Sequence, residues 1–300
     1  MRVPRPLLPP LAAELLARCR FPPRGTAISC AVSGGPDSLA LLSLAVASGC
    51  DVTAFHVDHG LRPGSRDEAR IVAAQAAELG AAFVARSARC SPGPNLEARA
   101  RAARFGALPG DVATGHTADD QAETIVLNLL RGSGIDGLCG MTPGPRHPIL
   151  GLRRAETERL ATSLGLPIVR DPTNAAPEHR RNRIRAEVLP LLCEIAQRDI
   201  VGVLARQAGL LAGERALLDH LATQIDVSSA PALAQADPAL ARRALRRYLR
   251  DELELEHPLE LAAIERALSV ARGEVAACEL PGGARLSRSH GRLRLERYGR

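Results

Sequence analysis

Short apolar runs alternate with stretches of helical period through the first half of the chain. Residues 26–32 form an apolar run that ends in a Gly-Gly turn, and 39–47 continue with helical spacing. The same alternation returns at 52–57 and 67–79, at 81–85 and 95–108, and at 111–114 and 118–130. Strands alternating with helices of roughly 10–15 residues predict βαβ units and a parallel sheet. The expected class is α/β, a Rossmann-like parallel-sheet domain followed by helical segments and a small α+β C-terminal domain. Ligands of such sheets bind beyond the carboxyl ends of the strands. The polar segments 33–38, 56–62 and 114–123 all lie there, so one crevice is expected to collect them.

Beyond residue 130 the pattern changes. Residues 131–150 are rich in Gly and Pro and read as a long mobile loop. Helical patterns follow near 155–165, 177–196 and 199–226, and 227–238 has the Ser/Pro/Ala composition of a linker. Two more helices, 240–253 and 259–271, precede an alternating stretch from Arg285 that turns at 289–291, as a hairpin with a Gly turn does. The expected organisation is a first domain at 1–198, a helical connector and linker at 199–238, and a small C-terminal domain at 239–300.

Composition narrows the chemistry. The 300 residues include no Trp, two Tyr and four Phe, so the core must be built from aliphatic side chains. All 39 basic residues are Arg. A Walker A loop and Schiff-base catalysis both need a Lys and are excluded. A net charge of +6 permits a polyanionic partner. Basic residues cluster at Arg180, Arg181, Arg183 and Arg185, and again in the last 17 residues, where six Arg face one acid. The seven Cys are scattered, odd in number and free of any CxxC pair, which suits a reduced cytoplasmic protein. No run reaches the ~18 apolar residues of a membrane span.

The strongest local signal is Ser33-Gly34-Gly35-Pro36-Asp37-Ser38 between an apolar strand and a helix. Adjacent glycines let backbone N–H groups approach an anion, and the helix N-terminus adds positive potential. Asp37 among phosphates requires a cation such as Mg²⁺. A helix from Ala118 crowds Asp119, Asp120 and Glu123 at one end; these need a metal or a cationic substrate, or simply favour the helix dipole. His56 and His59 flank Asp58, a pattern read as nucleotide contact in preference to zinc. Arg101 and Arg104 share a helix face, and Arg131, Arg181, Asn182 and Arg185 offer further phosphate contacts or a solvated surface.

The hexapeptide resembles the PP-loop of the N-type ATP pyrophosphatases. It is followed in order by His56-Val-Asp-His-Gly-Leu-Arg62, by Asn95-Leu-Glu-Ala, and by Gly115-His116-Thr-Ala-Asp-Asp-Gln-Ala-Glu123. Arg131-Gly-Ser-Gly, Asp171-Pro-Thr-Asn174 and Arg181-Asn-Arg-Ile-Arg185 complete the series. That succession resembles the tRNA(Ile)-lysidine synthetases, densely over about residues 25–195 and weakly beyond. The chain departs from the family pattern at Thr117, where a second His is frequent, at Phe105, where Tyr is, and at Ile168 and Val169, where an aromatic is common.

The resemblance implies a PP-loop ATPase domain and a cytoplasmic ligase. ATP and Mg²⁺ would adenylate the wobble cytidine of a tRNA(Ile) bearing the CAU anticodon, and free L-lysine would displace AMP. It assigns Ser33, Gly34, Gly35, Pro36, Asp37, Ser38, His56, Gly115 and His116 to ATP. Catalysis falls to Asp37, Arg62, Asp119, Asp120 and Glu123, with Asp37 and Asp119 toward Mg²⁺. Arg101, Arg104, Arg131, Arg181, Asn182 and Arg185 are assigned to substrate or tRNA. The rival readings are a PP-loop tRNA thiolase, which would need reactive Cys pairs or an iron–sulfur site, and a non-catalytic nucleotide- or RNA-binding protein. Oligomeric state stays open, a dimer included.

Overall fold

The computed structural model describes residues 10–58, 65–88, 96–169, 180–255 and 259–298. They divide into two compact units, Met1–Gly209 and Leu210–Arg300. In the first, strands β1 (Ala27–Ala31), β2 (Asp51–Asp58) and β3 (Ala82–Ser87) form a parallel sheet in the order β1-β2-β3. Among the described residues, the run at 111–114 joins β1 through a single parallel bridge between Cys30 and Ala113. Two hydrogen bonds hold it, Ala31 N to Ala113 O and Ala113 N to Ser29 O, each 2.8 Å. Pro109 and Gly110 before it and Gly115 after it leave no length for a strand.

Helix α1 (Pro10–Leu16) precedes the sheet, and α2 (Pro36–Ser48), α3 (Ser65–Leu79) and α4 (Leu96–Gly106) alternate with its strands. Helix α2 is apolar almost all round. Leu39, Leu41, Leu42 and Leu44 are fully buried, and the helix packs against α1, α3, β1, β2 and α7 (Arg154–Ser163). Each such Leu contributes about 1.5–3 kcal/mol of burial. Aliphatic side chains build this core, as the scarcity of aromatics requires.

Helix α5 (Ala118–Leu130) begins and ends where its pattern predicts, and a short α6 (Ile135–Leu138) follows it. The Gly/Pro-rich stretch around α6 is anchored, contrary to the mobile loop expected. Gln121 bonds Cys139 O, Met141 O and Met141 N, and Ile149 and Leu150 are buried. Helices α8 (Arg180–Arg183) and α9 (Leu189–Ala196) are joined by a π turn, Ile184–Val188. Helix α10 (Ile200–Ala222) comes next.

In the second unit α11 (Ala230–Gln235), α12 (Pro238–Glu252) and α13 (Leu261–Arg272) pack with an antiparallel sheet of β4 (Ala277–Leu280), β5 (Ala284–Ser289) and β6 (Arg292–Arg297). The segment read as a linker is ordered here: α11 buries Ala230 and Leu233 in this core, and Ser229 Oγ accepts from Ala232 N at its start. The hairpin turns at His290 and Gly291, both at positive φ (51° and 73°), the geometry of a two-residue primed turn. A β4 strand that the alternation did not reveal completes the sheet.

Candidate active site

The loop between β1 and α2 is shaped by its glycines and serines. Gly34 has φ 83°, and a Cβ there would stand 2.6 Å from Val169 Cγ2, so only Gly fits under the segment that covers it. Val169 N donates to Gly34 O at 2.9 Å, which gives the aliphatic residue at 169 a packing role. Ser38 Oγ donates to Gly35 O at 2.9 Å and lies 3.2 Å from Ser33 Oγ, pulling the two hydroxyls together. Pro36 opens α2 at a position where its missing N–H costs nothing. Asp37 follows in the first turn. Gly115 lies against this turn so closely that a Cβ would be 2.8 Å from Asp37 O.

Apart from Gly34 and Pro36, which shape the loop without lining it, these residues border a cleft of about 320 Å³, within the usual size of small-molecule sites. Ser33, Gly35, Asp37, Ser38, His56, Gly115, His116, Asp120 and Arg104 all face it, so the crevice collects residues from all three polar segments. His56 is 3% exposed and its Nδ1–H donates to Val32 O at 2.9 Å. His116 Nδ1 lies 2.7 Å from Thr114 Oγ1 and 3.3 Å from His147 Nδ1. Arg104 sits over the Phe105 ring at 5.4 Å, and burial pulls its guanidinium below the ordinary pKa.

Helix α7 supplies what the sequence reading missed. Asp37 Oδ1 accepts from the buried hydroxyl of Thr157, and its Oδ2 lies 3.5 Å from Arg154 Nε. Arg154 also reaches Asp120 Oδ1 at 2.9 Å and Glu123 Oε1 at 3.1 Å. Arg181 Nε and Arg185 Nε each lie 2.7 Å from Glu123, which is fully buried. Three arginines thus face Asp37, Asp120 and Glu123, three carboxylates. The compensating cations expected from metal or substrate are, in large part, the chain's own Arg side chains.

The electrostatics follow. Burial pushes Asp37 above the usual carboxylate range, and Thr157 and Arg154 oppose this only in part. Burial also works against the charge of Asp120, but Arg154, the Thr117 backbone and Arg181 outweigh it and hold the pKa low. Thr117 N and Oγ1 both donate to Asp120 Oδ2 at 2.9 Å, so the Thr in place of a second His secures the start of α5. Burial costs Asp119 too, and bonds from Arg153 Nε and Nη2 (3.1 Å each) and Arg154 N (2.8 Å) bring it below the ordinary value.

Asp119 therefore turns away from the cleft that Asp37 lines. With Glu123, Asp199, Arg153, Arg154 and Arg185 it lines a second cavity of about 200 Å³, whose remaining wall includes Leu189, Pro190, Cys193 and Val201. Arg131 is exposed at the end of α5, Asn182 is half-buried and Arg183 lies in solvent, paired with Glu187. Arg62, His59, Asn95 and 171–174 lie outside the described residues, as does the side chain of Arg101. Among the described residues no group of three His, Cys, Asp or Glu is arranged to hold a metal alone, and no helix is long and apolar enough to cross a membrane.

A parallel sheet ending in this glycine loop defines a PP-loop nucleotide-binding protein, and the family model described as a PP-loop domain matches residues 11–192. A tRNA(Ile)-lysidine synthase of Nocardia farcinica is 42% identical over 93% of this chain and 95% of its own length. One of Corynebacterium glutamicum is 36% identical over 89% of this chain and 86% of its length. A U34-tRNA thiolase from Methanococcus maripaludis shares the fold, with TM-score 0.53 and 16% identity over 67% of this chain and 78% of its own. The chain belongs to the tRNA(Ile)-lysidine synthase family, whose members are ligases that form carbon–nitrogen bonds.

Proposed function

We propose that the chain joins free L-lysine to the wobble cytidine of a tRNA(Ile) with a CAU anticodon, at the expense of ATP. The reading is supported by near full-length similarity to tRNA(Ile)-lysidine synthases, combined with a cleft in which the glycine loop, Asp37 and Arg104 face one space. ATP enters this cleft with its pyrophosphate end on Ser33, Gly34, Gly35 and Ser38. Cytidine O2 bonds to the α-phosphorus as the bond to pyrophosphate breaks. The lysine ε-amine then bonds to C2, and AMP leaves with the former O2. Arg104, desolvated and facing the cleft, would meet developing phosphate charge.

The donor set fits a magnesium ion arriving with the nucleotide, because Asp37 is a desolvated carboxylate on the phosphate side and Mg²⁺ favours one or two carboxylates plus phosphates. Asp37 would hold it with Asp120 beside it, in place of the Asp119 expected from the sequence, which lines the other cavity. Bound there, the ion would neutralise pyrophosphate charge. For the amino acid, the second cavity offers carboxylates for the ammonium groups, arginines for the carboxylate and an apolar wall for the methylenes. Residues 1–198 are assigned to catalysis and 239–300 to tRNA contact, where Arg285, Arg292 and Arg294 share the outer face of the β4–β6 sheet. Arg131 adds an exposed contact.

The test is incubation with unmodified tRNA(Ile) transcript, ATP, Mg²⁺ and labelled lysine, followed by nucleoside analysis. Label in a cytidine derivative is expected, and its absence would overturn the reading. Asp37→Ala is expected to abolish pyrophosphate release.

A further inference from the structure

The first turn of α7 joins parts of the site that lie far apart in sequence. Glu156 accepts from Arg153 N at 2.7 Å and pairs with Arg18 at 2.5 Å, which fixes the start of the helix. Arg154 N bonds Asp119, and Ala118 N bonds Leu152 O at 2.8 Å, so α7 and α5 begin side by side. Thr157, one turn in, is fully buried, and its hydroxyl meets Asp37 Oδ1. Its other acceptor among the described residues is Arg154 O at 2.8 Å, the backbone carbonyl three residues earlier.

We propose that Thr157 is a positioning residue for Asp37. A hydroxyl carries one proton, and an ionised carboxylate can only accept. In its contact with the ionised Asp37, the hydroxyl of Thr157 therefore donates and the carboxylate accepts. Because Thr157 holds Oδ1 from the helix side, Oδ2 is turned toward Arg154 and the cleft. The β-branch of Thr157 limits its rotamers inside the helix, and the one present brings the hydroxyl to both Arg154 O and Asp37. Hydrogen bonds to charged groups are the strong ones, and this one fixes the orientation of a carboxylate facing pyrophosphate. The inference rests on the reading of Asp37 as the group that meets magnesium pyrophosphate.

Four side chains at 157 separate the hydroxyl from packing: Thr, Ser, Val and Ala. Calorimetric binding of magnesium pyrophosphate and, separately, of AMP gives a readout apart from turnover. Thr157→Val and Thr157→Ala should weaken magnesium pyrophosphate binding about tenfold, a usual loss for a bond to a charged group, and leave AMP binding unchanged. Thr157→Ser should stay within about threefold of the parent, since it keeps the donor. If Thr157→Val does not fold, the Ser and Ala variants still differ by the oxygen alone. Four equal affinities, a sorting by size that pairs Thr with Val, or an equal loss for both ligands would each overturn the proposal. Asp37→Ala run alongside separates the two claims. Parent-like pyrophosphate binding in that variant sinks the reading of Asp37 itself.

Discussion

Two arginines in the first unit are taken largely out of water, and their ionisation moves in opposite directions. Around Arg104, burial opposes the charge, and the guanidinium falls below its ordinary pKa. Around Arg154, burial also opposes the charge, yet Asp120, Glu123 and Asp37 overcome it and the pKa rises. The same desolvation has been answered inside the protein in one region and left for a ligand in the other. In the ring around Arg154 the facing carboxylates already pair with guanidinium groups of the chain before any ligand arrives. The wall around Arg104, with the aromatic face of Phe105 behind it, gains its full stabilisation when an anion arrives.

Arg154→Ala gives the largest expected effect. It strips a shared cation from Asp37, Asp120 and fully buried Glu123, and breaking a buried pair on one side costs about 3–5 kcal/mol. Urea unfolding of the variant checks this, and an unchanged midpoint would mean that Arg181 and Arg185 suffice to hold the ring.

The pH dependence of stability follows from the same ring. Asp119 and Asp120 have depressed pKa values, so their stabilisation is fully present above the unfolded value of about 3.9 and is lost as pH falls through the folded value. Asp37, raised by burial, runs the other way: its protonation on acidification relieves a cost. In Arg154→Ala, burial dominates Asp120 as well, and acid unfolding followed by circular dichroism should begin at higher pH than in the parent. A midpoint at the parent's pH would contradict this account of Asp120.

The two regions were not equally legible in the sequence. The glycine loop, His56 and the start of α5 are contiguous signals: apolar run, Gly-Gly, helix, then an acidic first turn. Their convergence follows from parallel-sheet topology. The ring was half visible. Asp119, Asp120 and Glu123 announced a need for cations, but Arg154 and Thr157 lie more than 30 residues away on a helix whose pattern carries no mark of what it faces. Arg153-Arg154 opening a helix was the one available cue, since cations are unfavourable at a helix N-terminus unless acids receive them. Residues 111–114 paired too briefly to be a strand. At 227–238 the Ser/Pro/Ala composition hides Ser229 followed by Pro231, an N-cap and first-turn Pro that mark a helix start.

Arg104→Met sharpens the contrast at smaller amplitude. Removing a desolvated charge that has no carboxylate beside it among the described residues should leave the melting temperature unchanged or slightly raised. ATP affinity should fall about tenfold, the range for one charge-assisted contact. Calorimetry and thermal melting on one sample measure both. A melting temperature lowered as far as in Arg154→Ala would erase the distinction between the regions.

The smallest effect belongs to a residue between two members of the ring. Arg181 and Arg185 turn toward Glu123, whereas Arg183 points to solvent and pairs with Glu187 four residues on. With 62% of its side chain exposed, that pair is screened by water and salt, and exposed pairs of this kind add little. Arg183→Ala should therefore melt with the parent at low and high salt. Arg181→Ala and Arg185→Ala should melt lower, because each leaves part of a buried carboxylate unpaired. If all three behaved alike, net charge on this segment would set stability. If only the flanking two matter, it is set by burial and geometry, which assign adjacent arginines of one helix to different tasks.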